Sequence, residues 1–275
     1  MRFGAIDTAA GRRLVEVDGD TLRELEGDGD LAALLAAGVD PAALARGEAR
    51  PMNGTRLEAP LRPGKIVAIG LNYRQHAAES GVAPPEAPLI FAKFPSSVVG
   101  PTAQIVVDRR LTQSVDWEAE LGVVVGARMR NVSPERALEH VFGYTVVNDV
   151  SARDAQSGDG QWVRAKSMDT FCPMGPVVVG AGEIADPQAL RLWTAVNGEL
   201  MQDASTEDMI FSVAELLAYC SSNFTLEPGD LLIRGTPWGV GVVREPPITL
   251  QAGDLVETGI DGIGTLRNPV VDAPL

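Results

Sequence analysis

Glycine and proline constrain this chain most. Its 275 residues include 29 Gly and 19 Pro. A chain punctuated this often cannot sustain long helices, so short strands joined by turns should dominate. The apolar fraction of 45% is enough to bury a substantial core. The N-terminus, MRFGAIDTAAGRRLVEVDG, carries no apolar signal core, and no run approaches the ~18 apolar residues of a membrane span. The length fits one large domain, or one plus a small appendage.

Charge narrows the partners. With 37 acidic against 23 basic side chains the net charge is −14. Binding nucleic acid or an anionic membrane needs a basic footprint, so neither is expected as a partner. The two cysteines, Cys172 and Cys220, lie far apart in sequence, as suits a reducing compartment and a soluble, cytoplasmic protein. With two His as well they lack the spacing of a zinc finger. Carboxylates are the remaining metal ligands, and they favour Mg2+, Mn2+ or Ca2+. Only Lys65, Lys93 and Lys166 are lysines among the 23 basic residues, so each marks a place where a compact ammonium is wanted.

Residues 1–58 read as a small N-terminal α/β unit. It holds two short strands around Ala9-Ala10-Gly11, a short helix over Asp30–Ala37, and another begun by Asp40-Pro41. The stretch RGEARPMNGTRLEAPLRPG is a linker with a boundary near Ala59, leaving 59–275 as the larger domain. There KIVAI (65–69), Leu89–Phe94, Glu118–Val125, Tyr144–Val150, Pro176–Val179 and Leu192–Val196 read as strands. Helices are expected over Asn72–Ser80, over Pro134–Val141 with Ser133 as cap, and over Thr206–Cys220. Two similar stretches, LEPGDL (226–231) and LQAGDL (250–255), read as turns feeding strands. The class is α+β with a β-rich core.

Glu118 and Glu120 stand two apart on an expected strand, which puts both side chains on one face. Asp149 ends another strand in an apolar context. Like charges on one sheet face are costly to bury unless neutralised, and a divalent cation would do so. The same spacing also fits two glutamates on the solvent face of an edge strand. His76 and Glu79, three apart on an expected helix, are neighbours there. A carboxylate beside an imidazole orients it as a base; the pair equally fits an exposed salt bridge. His140 lies outside any motif and reads as structural.

Eight stretches, GLNYRQHAAESG (70–81), FAKFPSSVVGP (91–101), VDWEAELGVVVG (115–126), GYTVVNDVSARDAQ (143–156), KSMDTFCPMGP (166–176), VNGELMQDASTEDMIF (196–211), EPGDLLIRGTPWGVG (227–241) and GIGTLRNPV (262–270), occur in an order that resembles the fumarylacetoacetate hydrolase superfamily. The resemblance implies a mixed β-sandwich roll, commonly a homodimer. It implies a metal triad of Glu118, Glu120 and Asp149 holding Mg2+ or Mn2+. It makes His76–Glu79 a water-activating pair on a lid helix, with Gly70 and Gly81 placed as hinges, and sets Lys166 against a developing oxyanion. Arg153, Gln156, Thr236 and Tyr73 fall on its substrate side. Many relatives read GTPPGVG where this chain has GTPWGVG, which places Trp238 beside the pocket as a candidate wall residue. Cys172 as a nucleophile finds no second motif histidine to serve it. The implied activity is hydrolysis of a carbon–carbon bond in a 1,3-dicarbonyl, acylpyruvate or diketo acid. The alternatives are decarboxylation or keto–enol tautomerisation of an oxaloacetate-like acid, and a non-catalytic metabolite-binding protein.

Overall fold

The computed structural model describes residues 1–27 and 29–274. Strands dominate, as the Gly and Pro content requires. One mixed sheet of eleven strands runs through the molecule. Its centre is Ala119–Val125, paired antiparallel with Val141–Asn148 on one side and Leu231–Ile233 on the other. Ile66–Gly70 and Leu89–Lys93 extend it beyond Leu231–Ile233. In the other direction Cys172–Gly180 follows Val141–Asn148, and Arg2–Thr8 pairs with Cys172–Gly180. The strands of residues 1–58 therefore continue the same sheet. A second sheet of five strands, including Arg191–Val196, Leu255–Ile260 and Gly264–Asp272, lies across one face.

Both faces of the central sheet are covered, which explains the unbroken apolar run GVVV. Leu121 and Val123 pack with Leu192, Ile260 and Leu266 of the second sheet. Val124 and Val147 face a separate core containing Phe3, Leu14, Leu31 and Leu34 of the N-terminal segment. All seven residues of Ala119–Val125 are buried.

Several expected elements are present with shifted ends. The helix expected over Asn72–Ser80 runs Arg74–Glu79. Asn72 instead bonds across the chain: its Nδ2 donates to the carbonyls of Phe211 and Arg234, and its Oδ1 accepts from Phe211 N. The helix expected from Thr206 begins at Val213, because Ser212 and Glu215 form a reciprocal capping box. Met209 bridges Tyr73 rather than continuing the helical face. Ser133 precedes the short helix Pro134–Ala137 without a side-chain cap bond. The two GDL turns have one geometry: Asp230 Oδ2 accepts from Glu227 N, and Asp254 Oδ2 from Gln251 N. Helices Arg153–Asp159 and Trp162–Lys166 were not expected, since neither carries an apolar stripe long enough to show periodicity.

Candidate active site

The two glutamates lie in the interior rather than on an edge. Glu118 precedes the central strand and Glu120 belongs to it, with 5% and 0% of their surfaces exposed. The register Ala119↔Asn148 sets Glu118 opposite Asp149, and Asp149 N donates to Glu118 O at 2.9 Å. One carboxylate oxygen from each of Glu118, Glu120 and Asp149 lies within 4.8 Å of the others. Three carboxylates in a dry interior need compensation.

Part of it comes from cations. Lys166 Nζ donates at 2.8 Å to Glu118 Oε2, Asp149 Oδ2 and Ser151 Oγ. Arg153 lies 2.7 Å from Glu118 Oε1 and donates to Asp116 Oδ1 at 2.6 Å and Gln156 Oε1 at 2.9 Å. Lys93 donates to Asp149 Oδ1 at 2.7 Å, to Phe171 O at 3.0 Å and to Lys166 O. Burial would raise the Glu118 carboxyl, but Lys166 and Arg153 outweigh it and hold it near 2. Burial would lower the Lys166 ammonium, but Asp149 and Glu118 keep it above its usual range. Glu120 is the exception. Burial, then the charges of Asp149 and Glu118, push its carboxyl well above the usual range. Its Oε2 accepts from Gly235 N at 2.7 Å, and its buried Oε1 has no partner among the described residues. An acceptor oxygen left open beside two further carboxylates suits a hard divalent cation, so the triad can hold one.

The His76–Glu79 pair is equally well ordered by its contacts. His76 Nδ1 and Glu79 Oε1 are 2.7 Å apart, and Glu79 Oε2 accepts from Gly239 N at 2.9 Å. The helix that carries them is bolted at its start, where Arg74 donates to Met209 O and Gln75 N to Asp208 Oδ2. A Cβ at Gly70 would lie 2.3 Å from the Trp162 ring, so glycine gives that ring room. Gly81, at φ +69°, ends the helix. Leu71 and Thr170 both sit in the left-handed backbone region, at φ +53° and +71°, which costs about 1–3 kcal/mol each and is commonest at functional sites.

A cavity of about 190 Å³ opens between these groups. His76, Glu118, Arg153, Gln156, Lys166 and Thr236 line it. Glu79, Glu120 and Asp149 do not line it, but they adjoin His76, Glu118 and Lys166, which do. Tyr73 is fully buried, its hydroxyl has no partner among the described residues, and it does not line the cavity. Trp238, 39% exposed, does not line it either; from its loop Thr236, Val240 and Val242 do. His140 lies elsewhere, beside Arg128 and Arg136. Lys65 pairs with Asp230 at the start of Ile66–Gly70. Sequence reasoning missed Asp116, which holds Arg153 and accepts from Val242 N, and Gln202, whose Nε2 donates to Thr236 Oγ1 at 2.9 Å. Asp116 had a visible signal, two residues before Glu118 in VDWEAE; Gln202 had none.

Residues 65–271 match the model of the fumarylacetoacetate (FAA) hydrolase C-terminal family. The chain belongs to that family. A mitochondrial oxaloacetate tautomerase of Xenopus laevis is 48% identical over 218 residues, covering 78% of this chain and 68% of the relative. A 2,4-didehydro-3-deoxy-L-rhamnonate hydrolase of Sphingomonas sp. is 46% identical over 263 residues, 94% of this chain and 90% of its own. Among solved structures, a fumarylacetoacetate hydrolase from Exiguobacterium antarcticum superposes with a TM-score of 0.88 at 37% identity, covering 99% of this chain and all of the other. The relatives within the family are enzymes, and the fold expected from the resemblance is the fold observed. Among the described residues no helix is long and apolar enough to cross a membrane.

Proposed function

We propose that the protein is a divalent-metal-dependent hydrolase that cleaves the carbon–carbon bond of a 1,3-dicarbonyl acid of the acylpyruvate type. The observation that carries this is the 2.7 Å His76–Glu79 contact, which presents an oriented imidazole to the cavity that Glu118 also lines. Glu118, Glu120 and Asp149 would hold a hard divalent cation such as Mg2+, which would supply Lewis-acid polarisation of the dioxo group. His76 takes a proton from water, whose oxygen adds to the distal carbonyl. The bond from that carbon to the adjacent methylene breaks, and its electron pair leaves as an enolate. Lys166 Nζ places fixed positive charge at the wall beside that developing anion. The proton on His76 then passes to the enolate carbon, giving two carboxylic acids. Homodimerisation and a cytoplasmic location belong to the same reading.

The second reading is tautomerisation or decarboxylation of an oxaloacetate-like acid at the same site, favoured by the name of the Xenopus relative. Products separate the two: only hydrolysis yields two acids. Turnover of acylpyruvates, oxaloacetate and diketo sugar acids with Mg2+ is the test. Glu118→Gln should weaken Mn2+ binding at least tenfold by calorimetry. His76→Ala should leave that affinity intact and lower kcat by roughly 10²–10⁴-fold. Unchanged turnover in either variant overturns the proposal.

A further inference from the structure

The cavity wall beyond the polar cluster is apolar apart from the neutral hydroxyl of Ser80. It is made by Leu71, Phe91, Trp162, Val240, Val242 and Val243. Phe91 and Trp162 meet edge to face at 5.2 Å, and Trp162 is seated in the space left by Gly70. The strongly basic side chains at the wall are Arg153 and Lys166, and both belong to the carboxylate cluster. Arg153 donates to Asp116 and Gln156 and its Nη2 lies 2.7 Å from Glu118 Oε1, so its charge is paired, and all three Lys166 donors are committed as well. Arg244, the cation nearest in sequence to the valines, turns its Nη2 to Met201 O at 2.6 Å and does not line the cavity.

We infer that the cavity selects a substrate whose tail, beyond the dioxo head group, is a short uncharged hydrocarbon, and that it discriminates against tails ending in a carboxylate. This rests on the hydrolase reading for the position of the head group. A head group at the triad uses the polar lining. The tail then meets aliphatic and aromatic side chains and the neutral Ser80, where an anion has no counter-charge. A site without a partner for a charged group rejects it far more strongly than it distinguishes one methylene from none. The small volume adds a limit on length, since about 190 Å³ must also hold the head group.

The test compares two 2,4-dioxo acids of equal chain length, one ending in methyl and one in carboxylate. Their affinities for the Mg2+-loaded His76→Gln protein are measured by calorimetry, so that binding is read without turnover. The methyl-ended acid should bind at least tenfold more tightly. Val242 is 37% exposed at the rim, so a longer side chain has room there. Val242→Arg should then move the ratio at least tenfold toward the carboxylate-ended acid. Equal affinities, or tighter binding of the carboxylate-ended acid, overturn the inference without any appeal to the variant. A Val242→Arg protein that loses affinity for both acids in equal measure also counts against it. If wild type hydrolyses neither acid while the binding ratio holds, the hydrolase reading fails and the selectivity stands.

Discussion

Lys93 shows at the level of one residue why a lysine is kept in a chain that otherwise uses arginine. Its ammonium is fully buried and meets three acceptors from different directions: Asp149 Oδ1, Lys166 O and Phe171 O. A tetrahedral ammonium can satisfy three divergent acceptors, whereas the planar guanidinium fork cannot. Lys93→Met leaves a buried carboxylate short of a partner and should cost about 3–5 kcal/mol in a denaturant titration. Lys93→Arg should recover little of that loss; a variant as stable as wild type would show that the three contacts are dispensable. Cysteine chemistry gives a second residue-level test. Burial pushes both the Cys172 and the Cys220 thiol up to about 12. The neutral thiol is unreactive, so neither should react with a disulfide reagent at pH 8 until the protein is denatured, when both should. The sign of the pH effect follows. As the pH rises from 9, the unfolded thiol value, toward 12, the unfolded chain loses protons that the folded one keeps. Stability should therefore fall across that window. A native thiol that reacts rapidly at pH 8 would revive Cys172 as a nucleophile.

At the level of elements, the loop after Leu231–Ile233 joins the carboxylate triad to the His76–Glu79 pair. Gly235 N donates to Glu120 and Gly239 N to Glu79, while Gly239 O accepts from Trp117 Nε1 at 3.2 Å. Gly239 has φ +97°, and a Cβ there would lie 2.3 Å from Met201 O. Gly239→Ala should cost at least ~2 kcal/mol through backbone strain and that overlap. By moving the donor to Glu79 it should also lower kcat more than it changes metal affinity. A variant with normal stability and kcat would mean that the loop does not set the base. This loop also shows what a sequence can reveal. Its glycines mark the turn, as ExE marks the strand that carries Glu118 and Glu120, because local patterns report local geometry. Helical spacing continues through Met209 and Ile210, yet the segment from Thr206 to Phe211 forms only the 3-10 turn Thr206–Asp208. Its apolar residues are spent on Tyr73 and Asn72, more than a hundred residues away, and no local pattern encodes such a partner. Gln202 under Thr236 was invisible for the same reason.

For the whole molecule the open question is whether residues 1–58 are a separate unit. Composition changes near Ala59, which is what the sequence can register. Backbone pairing and packing are not confined by that boundary. Arg2 and Phe3 pair with Val179 and Val178. Phe3, Leu14, Leu31 and Leu34 share one core with Ile66, Val124, Met174 and Val178. That core backs the same central strands that carry Glu120 and lead to Asp149. Removing residues 1–58 would uncover this apolar face and leave the upper part of Cys172–Gly180 without its outer partner, a template for aggregation. A chain beginning at Ala59 should therefore be insoluble, or fail to bind Mn2+. The full-length protein should unfold in one transition, with far-UV circular dichroism and tryptophan fluorescence coinciding. All four tryptophans, Trp117, Trp162, Trp193 and Trp238, lie after Ala59, so fluorescence follows the larger part while circular dichroism follows both. Two separated transitions, or a soluble truncated chain with wild-type Mn2+ affinity, would show that the larger part folds and builds its cation site alone.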